Sequence, residues 1–77
     1  MKVEVLGKGC AKCNELEKRT RQALEELGQC AEVVKVEDMK TITGYGIMFT
    51  PALAVDGDIR VSGKLPSVEE LKEILSR

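Results

Sequence analysis

Residues 2–13 read KVEVLGKGCAKC, and this stretch decides the predicted fold. Valine alternates with polar residues over residues 2–6, which is the pattern of a β-strand with one buried face. Two glycines in residues 7–9 then predict a loop. Cys10 and Cys13 follow, where the pattern becomes helical. The stretch therefore predicts a strand, a tight loop and a helix whose first turn carries a pair of cysteines.

A long helix is predicted from about Ala11 to Leu27, followed by a second strand. Apolar residues recur on one stripe of the helix, and opposite charges recur four residues apart. Gly28 is expected to end the helix. The valine-rich segment 31–36 predicts the second strand, and a strand–helix–strand unit of this length makes the two strands parallel. The apolar stripe consists of Leu16, Ala23, Leu24 and Leu27.

The next part of the chain predicts a short helix and a β-hairpin. Asp38 is a suitable cap for a second helix that reaches about Gly44. Residues 52–55 predict a third strand. The Asp-Gly pair at positions 56 and 57 is typical of a two-residue turn, so residues 58–61 are expected to return antiparallel to that strand.

The last predicted element is a helix that begins after Ser67. Ser67 with Glu70 three residues later is a capping box, and the apolar residues that follow share one helical face. The element order is therefore β-α-β-α-β-β-α. We expect a single domain over residues 1–77 with a compact α/β fold, in which three helices pack on a four-stranded mixed sheet. The apolar face consists of Val68, Leu71, Ile74 and Leu75.

Charge and cysteine content restrict the function. The 77 residues carry a formal net charge of −1, so neither a nucleic acid nor a membrane, which select a basic face, is an expected partner. No apolar run approaches the roughly 20 residues of a membrane span, and residues 1–7 hold too short an apolar stretch for a signal peptide. Three cysteines and no histidine fit a reducing compartment, so we expect a cytoplasmic protein.

Cys10 and Cys13 are the candidate catalytic residues. A helix N-terminus favours a thiolate, and Lys8 and Lys12 add positive charge around Cys10. We therefore assign Cys10 as the nucleophile that attacks a substrate disulfide and the more covered Cys13 as the resolving thiol. Two other interpretations stay open. One is a static disulfide or a pair of buried thiols, and the other is half of a zinc or copper site completed by a second chain or a carboxylate.

The third cysteine, Cys30, is not expected at this site. The predicted helix rises about 25 Å between Cys13 and Cys30, so Cys30 cannot complete a metal site within one chain. Cys30 is interpreted as a small apolar residue at the start of the second strand. The alternative is a free thiol that is oxidised or that bridges two chains.

A second motif accompanies the cysteine pair. Pro51 follows Thr50 at the head of the third predicted strand, where the missing N–H of a proline is tolerated. A strand, Cys-x-x-Cys, a helix, a strand, a short helix, Thr-Pro and an Asp-Gly hairpin, in this order, resemble the thioredoxin-like superfamily. Within it, the chain is most similar to the small archaeal and bacterial redox-active disulfide proteins, and the resemblance covers nearly the whole sequence.

The resemblance implies roles for residues outside the cysteine pair. Pro51 would be cis and would pack beside the two sulfurs, where it keeps a metal ion from bridging them. The backbone of Thr50 would bind an extended substrate segment, and Gly63 would let that segment approach. Glu4 has two interpretations, a proton acceptor for Cys13 or a solvent-exposed side chain. An apolar rim would surround the site, and core packing is the alternative for each of its three members: Tyr45, Met48 and Phe49.

The chain departs from thioredoxins around the cysteines. Thioredoxins place Trp before the first cysteine and Gly-Pro between the two, whereas this chain has Gly9 and then Ala11-Lys12. Lys12 is expected to stabilise the thiolate of Cys10 and so to make the pair more oxidising. A potential below about −270 mV, the thioredoxin value, would contradict that expectation. Lys64, with the lysines near the pair, does not amount to a complete glutathione site.

The predicted function is therefore that of a thiol–disulfide oxidoreductase, cycling a Cys10–Cys13 dithiol against protein disulfides. This cycle requires no cofactor. It requires a partner that re-reduces the pair, a thioredoxin reductase or an equivalent reductant, and a monomer suffices for it. The alternative functions are a thiol-based metal-binding module and a redox-sensing adaptor, neither of which turns over substrate.

Overall fold

The structure, a computed structural model, describes residues 1–7, 11–47 and 49–76. Within these residues, strands and helices follow each other in the predicted order, and the α/β fold prediction is confirmed. The strands are β1 (Lys2–Leu6), β2 (Glu32–Val36), β3 (Ala52–Val55) and β4 (Asp58–Ser62). The helices are α1 (Ala11–Leu27), α2 (Met39–Gly44) and α3 (Val68–Leu75).

The strands form one mixed sheet in the order β2-β1-β3-β4. Strand β1 is central and pairs with β2 in parallel, as the strand–helix–strand pattern predicts. It pairs with β3 antiparallel, and β3 pairs with β4 antiparallel. Because β1 and β3 run in opposite directions, the end of β1 lies beside the beginning of β3. That arrangement positions the candidate site.

Helices cover both faces of the sheet, because alternate residues of β1 point to opposite sides. On one face, Val3 and Val5 pack in a buried cluster with residues of α1 and α3. On the other face, Leu6 packs with Ile42 of α2 and with the small side chains of β3. Each fully buried Val or Leu contributes about 1.5–3 kcal/mol by leaving water. The two apolar clusters therefore hold three layers together.

Helix α1 buries the predicted stripe. Leu16, Ala23 and Leu24 are buried, and Leu27 packs partly buried against the same cluster. The stripe also contains Thr20, a fully buried polar residue whose hydroxyl donates to the Leu16 carbonyl at 2.7 Å. That bond satisfies the hydroxyl within the helix itself, so its burial leaves no unpaired donor.

The predicted caps and turn are confirmed. Asp38 accepts a hydrogen bond from the Lys40 amide at the start of α2, and the reciprocal capping box at Ser67 begins α3. Asp56 and Gly57 have φ angles of 50° and 89°. A two-residue turn with both φ angles positive matches the twist of a hairpin, which explains why β3 and β4 join without a longer loop.

Two strand boundaries differ from the prediction: β2 begins at Glu32 rather than at residue 31, and β4 ends at Ser62 rather than at residue 61. Strand β4 extends to Ser62 and contains a β-bulge, because Leu53 pairs with Val61 while Ala54 pairs with Ile59. Arg60 is the extra residue. No local pattern announces the bulge, since it depends on how the two strands are aligned.

The interpretation of Cys30 as an apolar residue of the second strand is wrong. Strand β2 begins at Glu32, and Cys30 is exposed in the preceding connection. The chain leaves α1 through Gly28, whose φ is 67°, and the Gln29 amide still bonds back to the Leu24 carbonyl at 3.1 Å. These helix-end bonds occupy the residues before Cys30, so pairing with β1 starts later.

In the part of the chain that the structure describes, no helix combines the length and apolar character required to cross a membrane.

Candidate functional site

The candidate site lies where three chain segments meet at one end of the sheet. Leu6 pairs with Ala52, so Gly7, just after β1, and Pro51, just before β3, leave the sheet side by side. Ala52 also pairs with Ser62 of β4. The amide of the next residue, Gly63, donates to the Pro51 carbonyl at 2.9 Å. Antiparallel pairing thus brings Gly7, Pro51 and Gly63 together at one end of the sheet.

Cys13 lies in the first turn of α1 with a fully buried side chain. Its neighbour across the site is Gly7. A Cβ atom on Gly7 would lie closer than 3.0 Å to Sγ of Cys13, 3.2 Å from Cβ of Cys13 and 3.6 Å from Cβ of Thr50. The glycine therefore forms a flat surface between the Cys13 sulfur and the Thr-Pro segment.

Gly7 is the residue of the candidate site that the sequence analysis missed, because the pattern shows only a loop glycine. The structure holds it in place through its amide, which donates to the Val36 carbonyl of β2 at 2.9 Å. The bond extends the parallel pairing of β1 and β2 by one residue. Gly7 is therefore fixed relative to the sheet, and Cys13 packs against a rigid neighbour.

Cys10, Lys8 and Met48 lie outside the described residues, so their assigned roles stay predictions. Lys12 is exposed in the first turn of α1. A helix N-terminus and a nearby ammonium group both favour an anion at this position. The environment at the start of α1 therefore suits a thiolate nucleophile.

The Thr50–Pro51 peptide bond is cis, the isomer that the resemblance implied. Pro51 is buried and Thr50 is exposed, so the chain turns from the surface into β3 at this bond. Phe49 precedes it with 68% of its surface exposed, which excludes core packing for this residue. The segment presents an apolar ring beside the Thr50 backbone.

Gly63 contacts this ring. Its φ is 71°, and a Cβ atom there would lie 2.8 Å from Cβ of Phe49. The position thus requires glycine twice, once for the backbone conformation and once for the close approach of the phenylalanine. Because Gly63 has no side chain, Phe49 can pack against it at the surface beside Pro51.

Tyr45 and Glu4 are joined on the α2 face of the sheet. The Tyr45 hydroxyl donates to Oε1 of Glu4 at 2.5 Å, and the ring packs against the cluster around Leu6 and Ile42. Accepting this bond, the Glu4 carboxylate raises the pKa of Tyr45, and burial and the negative charge of Glu4 act in the same direction. The proton-acceptor role of Glu4 stays a prediction, and the partner found for its carboxylate is a tyrosine.

The geometry bears on the metal interpretation as well. Within residues 1–7, 11–47 and 49–76, no three His, Cys, Asp or Glu side chains are grouped so that they could hold a metal ion. Cys30 lies beyond the far end of α1 from Cys13.

Comparison with known proteins shows the family of the chain. The family model described as "Thioredoxin domain" matches residues 1–76. A thioredoxin from Methanothermobacter thermautotrophicus is 46% identical over 76 residues, which cover 99% of each chain. A thioredoxin from Methanocaldococcus jannaschii is 45% identical over 73 residues, covering 95% of this chain and 84% of the relative. The chain therefore belongs to the thioredoxin family of thiol–disulfide oxidoreductases.

Proposed function

We propose that this protein reduces protein disulfides through Cys10 and Cys13. The observation that carries the proposal is the meeting of the Cys-x-x-Cys helix, Pro51 and Gly63 at one end of the sheet. The complete burial of the Cys13 side chain supports its role as the resolving thiol. A buried sulfur cannot meet an external disulfide first, so attack falls to Cys10.

The proposed cycle consists of two exchanges. The Cys10 thiolate attacks one sulfur of the substrate disulfide, and the other substrate sulfur leaves as a thiolate. Cys13 then loses its proton and attacks Sγ of Cys10, which releases the second substrate sulfur and leaves a Cys10–Cys13 disulfide. Two electrons pass to the substrate. A thioredoxin reductase or an equivalent reductant then supplies two electrons that reduce the Cys10–Cys13 disulfide again, and the protein acts as a monomer in the cytoplasm.

The exposed backbone before Pro51 supports binding of an extended substrate segment. Thr50 is exposed, and its position between Phe49 and Gly7 leaves one side of the segment open to solvent. An extended chain that bonds to this backbone would bring its cysteine toward the start of α1. Phe49 would cover apolar side chains of the substrate, because an exposed ring beside the site gains free energy when it is buried.

An insulin-type disulfide reduction assay with three single variants tests the proposal. Cys10→Ser should abolish reduction, and Cys13→Ser should reduce turnover severely because the mixed disulfide is no longer resolved. Cys30→Ser is the matched control and should keep full activity, since its thiol lies at the other end of α1. Undiminished reduction by Cys10→Ser would overturn the proposal.

Trapping separates the two thiols. Cys13→Ser, mixed with a disulfide substrate, should accumulate a covalent adduct whose mass equals protein plus one substrate half. Both variants are made in a Cys30→Ser background, because the Cys30 thiol is exposed and could form an adduct itself. In that background Cys10→Ser should accumulate none, because the remaining thiol, Cys13, is buried. An adduct on Cys13 in that variant would reverse the assignment of nucleophile and resolving thiol.

A further inference from the structure

A second surface feature lies next to the site, a cleft of about 440 Å³ between β4 and α3. Clefts of this size hold one or a few side chains of a ligand. Its floor is apolar, and its rim carries two basic residues, Arg60 and Lys64. The floor is formed by Val61, Leu65, Pro66 and Ile74.

The cleft adjoins the Thr50–Pro51 segment, along which the substrate is proposed to bind. Ser62 and Lys64, which both line it, stand on either side of Gly63. Gly63 in turn bonds to the Pro51 carbonyl and packs against Phe49. A substrate that lies along the Thr50–Pro51 segment therefore reaches the cleft without crossing any other element.

The extra residue of the β-bulge, Arg60, lies in the lining of this cleft. Val61 pairs with Leu53 and Ile59 pairs with Ala54, so Arg60 has no partner residue on β3. Bulges occur frequently beside active sites, where the extra residue redirects a side chain. Here the extra residue is an arginine on the rim of a cleft, at the edge of the sheet.

The two rim cations lack carboxylate partners within the described chain. The ion pairs found there involve the basic residues Arg19, Arg21, Lys35 and Lys72, and neither Arg60 nor Lys64. The acidic residue of the cleft, Glu70, accepts hydrogen bonds from the amide and hydroxyl of Ser67. Its carboxylate is thereby held at the N-terminus of α3, and the basic groups remain available to a ligand.

We infer that the cleft between β4 and α3 selects protein substrates that carry an acidic side chain near the reactive disulfide. The inference rests on the proposed function. Arg60 and Lys64 bind the substrate carboxylate, and the apolar floor packs against its methylene groups. Arginine suits this role because its planar guanidinium binds a carboxylate through two parallel hydrogen bonds.

The spacing of the residues fixes where the acidic side chain must be. Arg60 stands three residues before Gly63, so at most about 10 Å of chain separates the two residues at 3.3 Å per residue. An extended substrate that runs beside β4 covers the same distance in about three residues. The acidic side chain is therefore expected about three residues from the substrate residue that lies beside Gly63.

A pair of disulfide-bonded peptides tests this inference. The two peptides of a pair differ only in Glu or Gln at one position. Successive pairs place that position at different distances before and after the reactive cysteine. The wild type should reduce the Glu peptide with a kcat/KM about fivefold higher at low salt, which corresponds to about 1 kcal/mol. Raising the salt concentration should diminish that preference, since the rim is exposed to solvent.

Charge reversal identifies the groups that recognise the peptide. Arg60→Glu and Lys64→Glu should each lower kcat/KM for the Glu peptide more than kcat/KM for the Gln peptide, and so remove the preference. Lys40→Glu is the matched control, because it makes the same charge change on α2, across the sheet. Urea unfolding of each variant verifies that the fold is retained.

The outcomes separate this inference from the proposed function. Equal kcat/KM values for the two peptides with the wild type would overturn the inference and leave the proposed function intact. An equal loss of preference in Lys40→Glu would also overturn it, because the effect would then come from net charge. If the wild type reduces neither peptide nor insulin, the proposed function itself fails.

Discussion

Gly7→Ala is expected to disturb the site through a single methyl group. The added Cβ would lie closer than 3.0 Å to Sγ of Cys13, a separation that Cβ atoms essentially never show. Neither side can yield easily, since Cys13 is fully buried and the Gly7 amide is bonded to β2. Overpacking of this kind costs about 1–3 kcal/mol. For a chain of this size each kcal/mol lowers Tm by about 4–8 °C.

Urea unfolding under reducing conditions measures this loss, and Gly44→Ala provides the control. Gly44 lies at the end of α2 with no atom within 4 Å of an added Cβ, and its φ is not positive. Alanine there should be neutral or stabilise the fold by about 0.4–1 kcal/mol. The two variants make the same chemical change, so their difference isolates the contact with Cys13.

A double-mutant cycle then assigns the loss to the sulfur. In a Cys13→Ala background, Gly7→Ala should cost less than in the wild type, because the atom it overlaps is absent. The disulfide equilibrium against glutathione should also shift in Gly7→Ala, since the Cys13 sulfur is displaced. If Gly7→Ala is as stable as the wild type, or equally destabilising in both backgrounds, the packing argument is wrong.

Two further predictions concern the other parts of the site. Gly63→Ala should lower both stability and kcat/KM for insulin, because its Cβ would lie 2.8 Å from Cβ of Phe49 and φ is 71°; an unchanged kcat/KM would contradict the role of Phe49. The raised pKa of Tyr45 favours its neutral form in the folded state. The stability gained from its bond to Glu4 is therefore full below about pH 10 and is lost as pH rises through the folded pKa. Urea unfolding between about pH 9 and 11 should show this decline in the wild type and a smaller one in Tyr45→Phe, and equal slopes would refute it.

The elements of the fold follow from local patterns. The α1 stripe, the Asp56-Gly57 turn and the Ser67–Glu70 capping box each rest on residues within a few positions of one another, and the structure contains all three. Such features form from interactions that the neighbouring residues make by themselves. Cys10 and Cys13 could be singled out in the same way, since their spacing and their place before a helix are local.

The contacts of the site required the tertiary structure. Gly7 meets Cys13 and Thr50 because β1 and β3 pair antiparallel with Leu6 opposite Ala52. Tyr45 meets Glu4 across 41 positions of sequence. A periodic sequence pattern does not predict such pairs, because they depend on strand register and on how side chains fill the space between elements.

The β4 bulge and the exposed Cys30 have the same origin. The sequence predicted Cys30 to be an apolar residue of β2. In the structure, hydrogen bonds at the end of α1 involve the residues just before Cys30, and β2 begins only at Glu32. The sequence pattern predicted a regular strand over residues 58–61. In the structure, alignment with β3 leaves Arg60 without a partner residue, and Arg60 lines the cleft. The sequence by itself determined which segments are helix, strand and redox motif, because those are short-range properties. Only the packed sheet decided which side chains meet around the cysteines, because register and volume act between residues far apart in the chain.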